Sequence, residues 1–247
     1  MIGLFKKKKK PLTIFGEIEP YLPDNKMAKQ YKDYDKDLLE KYGKCRKFNK
    51  EIKILCFADT HGKIMYNQNE YKLSEIDNDY DVCLLLGDIS CDDIREILKY
   101  VDKNKIYGIL GNHDYFNNLE KFDISNINGK VIDINGVKIS GIEGAIKYKE
   151  EQPGYTIEDG FEFVKSIPEA DICITHAPPF GAVGLENNSL HIGAPYINEY
   201  LFRTKCPIVL SGHNHVDRTH EYLNGTKGIS LYKQKTIVIK NNIIDIL

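Results

Sequence analysis

Residues 82–114 read VCLLLGDISCDDIREILKYVDKNKIYGILGNHD, with two apolar runs on either side of a charged segment. Val82–Leu86 and Ile106–Leu110 have the length and apolar character of strands buried on both faces. Between them, apolar residues recur at helical spacing from Ile94 to Val101, and two aspartates precede this segment, where a helix N-terminus favours negative charge. The stretch therefore predicts a strand–helix–strand unit with a polar motif directly after each strand.

The rest of the chain continues this alternation of short apolar runs and charged segments, which is typical of a sheet covered by helices. Three more runs have strand length: Lys53–Phe57, Ile172–Thr175 and Ile208–Leu210. Two turn signals, Asn135-Gly136 and Asn241-Asn242, predict antiparallel hairpins, the first joining Val131–Ile134 to Val137–Ile142 and the second joining Thr236–Ile239 to Ile243–Leu247. Helices are expected from Thr156 to about Ser166 and over Asn188–Phe202, the second interrupted by Gly193 and Pro195. We expect an α/β (α+β) fold.

The domain organisation follows from length and charge. The 247 residues suffice for one large domain. Residues 1–50 contain 14 lysine and arginine residues against 7 acidic ones, including five consecutive lysines at Lys6–Lys10, and a helix is expected only at Asp24–Lys41. We therefore predict a basic N-terminal extension over residues 1–50 and a catalytic domain over residues 51–247. The lysine run could touch nucleic acid or an anionic membrane surface, although such runs are most often simply solvated.

The cysteine pattern and the hydropathy of the sequence indicate the cellular compartment in which we expect the protein. The six cysteines form no Cys-x-x-Cys pair, and three of them lie inside apolar runs, as reduced core cysteines do. No apolar run approaches the length of about 18 residues needed to span a bilayer, and neither a signal peptide nor a myristoylation glycine is recognisable. We expect a cytoplasmic protein without a membrane anchor.

Five polar motifs each follow a predicted strand, where side chains reach the rim of the sheet and can converge on one site. They are Asp59-Thr60-His61, Gly87-Asp88, Gly111-Asn112-His113-Asp114, Thr175-His176 and Gly212-His213-Asn214-His215. Residues two apart on an extended chain point to the same side, so Asp-x-His and His-x-His can each hold a cation. Taken singly, the Asp-x-His and Gly-Asp motifs are weak, since each could be a turn or a helix cap. Their joint occurrence favours one metal site.

In this order, the five motifs resemble those of the calcineurin-like metallophosphoesterase superfamily, over Asp59–His215. The resemblance implies a four-layer fold in which two mixed β-sheets pack face to face between helices. It also implies two metal ions, one bound by Asp59, His61 and His215, the other by Asn112, His176 and His213, with Asp88 bridging both. Their ligand types suit manganese, iron or zinc, divalent or trivalent, and we expect manganese to support activity.

The activity that this resemblance implies is hydrolysis of phosphomonoesters or phosphodiesters. A metal-bridging hydroxide would attack phosphorus in line, without a serine or cysteine nucleophile. His113 would stabilise charge and act as general acid, with Asn112 and His113 also contacting the substrate. The pattern is incomplete at Cys91, where many phosphatases of the superfamily have an aspartate that orients this histidine. Asp114 is a candidate for the orienting role, as is Asp92, although helix capping is the simpler role for Asp92.

Two alternatives remain. A nuclease of the same superfamily would use the basic extension to guide nucleic acid, but the sequence shows no basic stripe with interleaved aromatic residues, and nucleic acid as a partner has only this weak support. A noncatalytic protein-interaction scaffold on the same fold would not need the intact ligand set. A phosphate-ester substrate is the partner that the motifs favour, while the physiological substrate and the oligomeric state remain open.

Overall fold

The computed structural model describes residues 33–181 and 191–247. The predicted lysine run Lys6–Lys10 and the first part of the predicted helix Asp24–Lys41 lie outside these ranges. Within them, no helix has both the length and the apolar character that crossing a bilayer requires.

Two six-stranded sheets form the centre of the fold. In spatial order, the first contains β14 (Ile243–Ile246), β13 (Lys233–Lys240), β1 (Glu51–Ala58), β2 (Val82–Leu85), β3 (Ile106–Gly108) and β4 (Ser125–Asn126). The second contains β11 (Arg218–Glu221), β12 (Lys227–Ser230), β10 (Ile208–Ser211), β9 (Ile172–Thr175), β6 (Val137–Ile142) and β5 (Val131–Ile134). A separate short pair joins β7 (Ala145–Ile146) to β8 (Gly154–Tyr155).

Both sheets are mixed. In the first, β1, β2, β3 and β4 are parallel neighbours, whereas β13 is antiparallel to β1 and to β14. In the second, β6, β9, β10 and β12 are parallel neighbours, and the edge strands β5 and β11 are antiparallel. The predicted hairpins are confirmed, and Asn135 and Gly136 both have positive φ angles, as the tight hairpin turn requires.

The helices cover the outer faces. They are α1 (Tyr34–Tyr42), α2 (Gln68–Tyr71), α3 (Cys91–Ile97), α4 (Ile157–Ser166) and α5 (Pro195–Arg203). The α3 side chains pack on the first sheet, while α1, α4 and α5 pack on the second. The layers are therefore helix, sheet, sheet and helix, so the predicted four-layer α/β fold is confirmed.

Alternation along the strands builds this layering. In β1, Ile54 and Cys56 enter the core between the two sheets, while Leu55 and Phe57 pack beneath α3. Successive side chains of a strand point to opposite faces, so a strand buried on both faces must be apolar throughout. That requirement explains why the sequence contains continuous apolar runs at these positions.

Two predicted helices have different bounds. The helix expected over Asn188–Phe202 begins at Pro195 and ends at Arg203, and residues 191–194 are not helical. Pro195 suits the first helical position because its missing N–H needs no partner there. The helix expected over Asp24–Lys41 is described from Tyr34 and ends at Tyr42.

The described end of the N-terminal extension packs on the rest of the protein. The hydroxyls of Tyr34 and Tyr42 donate to the Glu199 carboxylate at 3.0 and 2.5 Å. Leu38 and Phe48 are buried, Leu38 beneath α5 and Phe48 in the core between the sheets. Residues 33–50 thus contribute core side chains, while the division into extension and catalytic domain at residue 50 remains a prediction.

Candidate metal centre

All the predicted ligands lie at the carboxyl ends of parallel strands. Asp59 and His61 follow β1, Asp88 follows β2, Asn112 follows β3, His176 follows β9, and His213 and His215 follow β10. The carboxyl ends of parallel strands meet at one edge of a sheet, and here the two sheets bring their edges together. The fold thereby gathers residues that are more than 150 positions apart in sequence, such as Asp59 and His215.

The backbone at these positions is unusual. Five predicted ligands are among the twelve non-glycine residues with positive φ in the described ranges: Asp59, His61, Asp88, His213 and His215. A side chain in this left-handed region costs about 1–2 kcal/mol unless its surroundings compensate. Such strain concentrates where side chains must be aimed at a ligand.

Asp59, His61 and His215 form the first group of side chains that could hold a metal ion, with their ligand atoms all within 4.8 Å of one another. His215 Nε2 lies 3.6 Å from Asp59 Oδ1 and 3.1 Å from His61 Nε2. Asp59 is fully buried, and its Oδ2 accepts a hydrogen bond from the His213 backbone N–H. Its Oδ1 has no hydrogen-bond partner among the residues that the structure describes, so this buried oxygen is unsatisfied within them and lies 3.6 Å from His215 Nε2.

The second group contains Asp59, Asp88 and His176. Asp88 Oδ2 lies 3.5 Å from His176 Nε2 and 3.6 Å from His61 Nε2, so one carboxylate oxygen faces histidines of both groups. Asn112 Oδ1 is 3.0 Å from His176 Nε2. His176 Nδ1 lies 2.8 Å from the Leu86 carbonyl oxygen, which fixes the ring and directs Nε2 towards Asp88.

His213 belongs to neither group, although its backbone contributes to the first. Its ring packs edge-on against His176, with ring centroids 5.1 Å apart, and stacks on His191 at 4.7 Å. His191, which the sequence analysis did not assign to the site, is thus in contact with a predicted ligand. No sequence signal separates His191 from an ordinary loop histidine.

The electrostatics differ between the groups. Burial raises the pKa of Asp59 to about 7. Burial also disfavours the Asp88 carboxylate, but attraction and hydrogen bonding from His176, with the His113 N–H, hold the pKa of Asp88 well below its usual range. The same attraction overcomes burial of His176 and raises its pKa to about 9. Burial and the neighbouring His61 lower the pKa of His215 to about 4.

Asp88 and His176 shift one another's pKa in opposite directions, as an oppositely charged pair in a buried site does, whereas burial is the largest cause of the shifts of Asp59 and His215. Carboxylate, amide and imidazole donors, together with the unsatisfied Asp59 oxygen, fit a divalent cation. The arrangement thus has the donor chemistry of a metal centre.

Two buried aspartates that the sequence analysis did not identify as supports hold the metal-site loops. Asp93 accepts hydrogen bonds from the Thr60 hydroxyl, the Gly62 N–H and the Ile64 N–H, at 2.5, 2.6 and 2.9 Å. Asp93 therefore fixes the loop that carries His61. The sequence offered only an acidic residue in the first turn of a helix.

Asp114 plays the same part for the neighbouring loops. Its carboxylate accepts hydrogen bonds from the backbone N–H groups of Asp88, Ile89 and Gly111, at 2.8, 3.0 and 2.8 Å. These contacts account for both carboxylate oxygens, with Asn118 as a further donor. Asp114 therefore anchors backbone around the predicted bridging residue, and no hydrogen bond joins it to the His113 ring within the described residues.

Helix α3 is not capped by Asp92. The Ser90 hydroxyl accepts a hydrogen bond from the Asp93 N–H and so caps α3. Asp92 is exposed and pairs with Arg95. The expectation that Asp92 caps the helix is wrong, because the serine two residues earlier occupies the N-cap position.

His113 stands on the open side of the centre. Its backbone N–H donates to Asp88 Oδ1 at 2.8 Å, and its exposed ring lies 5.6 Å from the His61 ring. Cys91 donates its thiol proton to Asn118 Oδ1 rather than to His113. A cavity of about 400 Å³ opens here, and its lining includes His61, Asp88, His113, Tyr115 and Lys121.

Comparison with known proteins places this site in a family. The family model described as calcineurin-like phosphoesterase matches residues 52–217, which contain every predicted ligand. No curated protein matches the sequence significantly.

Several solved structures are similar to this chain. The protein TT1561 of Thermus thermophilus gives a TM-score of 0.56 at 12% identity, covering 80% of this chain and 99% of that chain. A putative 5′-nucleotidase from Staphylococcus aureus gives 0.49 at 12% identity, covering 80% and 54%. A protein described as a novel phosphatase, from Mycoplasma pneumoniae, gives 0.47 at 12% identity, covering 81% and 94%. Since the family model spans about two thirds of the sequence, this chain belongs to the calcineurin-like phosphoesterase family.

Proposed function

We propose that this protein is a dinuclear metal-dependent phosphoesterase that hydrolyses phosphomonoesters or phosphodiesters. Asp59, His61 and His215 would hold one cation, Asn112, His176 and His213 the other, and Asp88 would bridge them. The position of Asp88 carries the proposal, because its Oδ2 lies 3.6 Å from His61 Nε2 and 3.5 Å from His176 Nε2. A carboxylate between two sets of nitrogen donors is suited to two cations.

The chemistry would divide between the cations and the protein. Bound cations would neutralise charge on the phosphoryl group and activate water for attack on phosphorus. Manganese, iron and zinc all suit these nitrogen and oxygen donors. The family match supports the reaction class, and the buried unsatisfied oxygen of Asp59 supports metal binding.

His113 would bind the substrate and protonate the leaving oxygen. It is exposed to the cavity, adjoins Asn112 in sequence and is held to Asp88 through its backbone N–H. A general acid contributes about 10²–10⁴-fold to the rate. We expect His113→Ala to lower kcat by about that factor, while bound metal is retained because the ligands are intact.

The test uses chelator-stripped protein with and without manganese, assayed on p-nitrophenyl phosphate and bis(p-nitrophenyl) phosphate. Manganese-dependent hydrolysis that His113→Ala largely abolishes would support the proposal and reveal the ester preference. Equal hydrolysis with and without metal would contradict metal dependence. No hydrolysis by protein that binds no manganese would instead favour the interaction scaffold.

A further inference from the structure

Two exposed aromatic rings lie at the candidate metal centre. Tyr115, two residues after His113, lines the same cavity as His113, and the Tyr148 hydroxyl is 3.4 Å from Asn112 Nδ2. Both side chains are exposed. Exposed rings beside a candidate ligand site differ from apolar residues scattered singly over a surface, which need no explanation.

A lysine side chain lies over the ring of Tyr115 and another lies over the ring of Tyr148. Lys121 Nζ lies 5.8 Å from the centroid of Tyr115, and Lys149 Nζ lies 5.3 Å from that of Tyr148. Neither lysine forms an ion pair with any residue that the structure describes, unlike Lys99 and Lys103, which pair with neighbouring carboxylates. Their charges therefore remain available to an anionic ligand.

The first pair lies in the cavity beside His113. Tyr115 and Lys121 line the same cavity as His61, Asp88 and His113, and Tyr115 is 75% exposed. A ring that is this open can accept a planar group on its face. About 400 Å³ is enough space for a small ligand beside the phosphate position.

The second pair lies against Asn112, on a different loop. Tyr148 reaches Asn112 from a segment far along the sequence, so Asn112 and His113 each have a lysine–tyrosine pair close by. Basic groups with interleaved aromatics are typical of proteins that bind unpaired nucleotides, in which bases stack on rings and cations neutralise phosphates. The two pairs lie in separate segments of the sequence, which is why the sequence showed no such stripe.

We propose that the phosphate ester cleaved by this protein belongs to a nucleoside phosphate, whose base stacks on Tyr115 while Lys121 contacts a phosphate oxygen. This rests on the proposed phosphoesterase function and deepens it. A free nucleotide and a single-stranded chain offer the same chemistry. A phosphoserine or phosphothreonine peptide has no planar group beside the scissile phosphate, so the exposed ring favours the nucleoside over these esters.

Two matched diesters test the proposal with manganese-loaded full-length protein. Thymidine 5′-(p-nitrophenyl phosphate) and methyl p-nitrophenyl phosphate release the same leaving group and differ in the nucleoside. Stacking contributes about 1–3 kcal/mol per base, or roughly five- to 150-fold. We expect the thymidine ester to have the higher kcat/KM, and Tyr115→Ala to lower this preference about tenfold.

The variants separate stacking from folding. Tyr115→Phe keeps the ring and should keep the preference, and Tyr100→Ala removes an exposed tyrosine that lines a different cavity and should change neither ester. Lys121→Ala should raise KM for both esters more than it lowers kcat. Equal kcat/KM for the two esters in the wild type, or an undiminished preference in Tyr115→Ala, would overturn the proposal.

Two further arms complete the test. Comparing thymidine 5′-monophosphate with a short oligothymidylate tells a free nucleotide from a chain as the preferred source. If manganese-loaded protein turns over no ester, the proposed function fails, and calorimetric binding decides the present inference. Tighter binding of thymidine 5′-monophosphate than of ribose 5-phosphate, lost in Tyr115→Ala, would then support it, and equal binding would refute it.

Discussion

The Asp114 carboxylate accepts a hydrogen bond from the backbone N–H of Asp88, at 2.8 Å. It also accepts hydrogen bonds from the N–H groups of Ile89 and Gly111, so one buried carboxylate fixes the backbone of the loops after β2 and β3 at the candidate metal centre. Burial and the nearby Asp88 charge raise the pKa of Asp114 to about 7, which means that this arrangement is electrostatically costly. What Asp114 contributes to the protein is therefore the backbone geometry that its hydrogen bonds fix.

Replacing Asp114 should loosen the centre. In Asp114→Asn, an amide group replaces one acceptor oxygen and faces backbone donors, leaving N–H groups unsatisfied. We expect a loss of about 1–3 kcal/mol in the free energy of unfolding, measured by urea denaturation, together with weaker manganese binding. The control is Asp123→Asn, since Asp123 is exposed and pairs with Lys103 on the surface. Equal effects of the two variants would rule out the anchoring role.

The adjacent residues Asp92 and Asp93 provide a matched pair of variants that tests how the loop of His61 is held. Asp93 is buried and holds the loop of His61, whereas Asp92 is exposed and pairs with Arg95. We expect Asp93→Asn to destabilise the protein by about 1–3 kcal/mol and to reduce the manganese bound per chain, measured by elemental analysis. Asp92→Asn should stay within about 0.5 kcal/mol of the wild type. A full metal complement in Asp93→Asn would show that the loop holds His61 without this carboxylate.

The stability of metal-free protein should fall as pH rises above neutrality. The pKa of folded His176 is about 9, above its ordinary value of 6.5, so the folded state binds more protons than the unfolded state between these values. Its contribution is complete below pH 6.5 and is lost as pH approaches about 9. Urea denaturation in chelator at several pH values measures this.

Manganese should reverse this fall in stability with pH, because a cation bound by Asp59 and Asp88 would replace the proton of His176. With saturating manganese, we expect the free energy of unfolding to hold or rise over the same pH interval. His176→Gln is the comparison, since it removes the titrating ring and should flatten the metal-free profile. A metal-free wild-type profile as flat as that of the variant would contradict the assignment.

The sequence predicted those strands and turns whose local residue pattern matches their position in the fold. Continuous apolar runs predicted β1, β2, β9 and β10, because those strands are buried on both faces, and Asn135-Gly136 predicted its hairpin. Pro195 was interpreted as an interruption of the helix predicted over Asn188–Phe202, whereas it is the first residue of the observed helix, a position that proline suits. The five motifs located the centre, since each lies at a strand end.

The residues that hold the loops of the candidate metal centre could not be predicted from the sequence in the same way. Asp92 and Asp93 are identical residues at adjacent positions, yet one is solvated and the other accepts three hydrogen bonds from a loop some 30 residues away. Only the rotation of α3 about its axis decides which faces inward. Each lysine–tyrosine pair is local in the sequence, but the contact of Tyr148 with Asn112 depends likewise on how separate segments meet.

Gly111 offers the sharpest steric test of the centre. A Cβ at Gly111 would lie 2.1 Å from Asp88 Oδ1 and 2.3 Å from the Asp88 backbone nitrogen, so the two loops can approach only without a side chain. We expect Gly111→Ala to cost at least about 3 kcal/mol, because backbone rather than a flexible side chain must move, and to abolish manganese binding. The control is Gly136→Ala, where φ is +84° and a Cβ meets nothing within 4 Å. That change should cost about 1–2 kcal/mol of backbone strain alone and leave manganese binding intact. Full manganese binding by Gly111→Ala would mean that Asp88 can move without loss of the centre, and would remove the geometric basis for its bridging role.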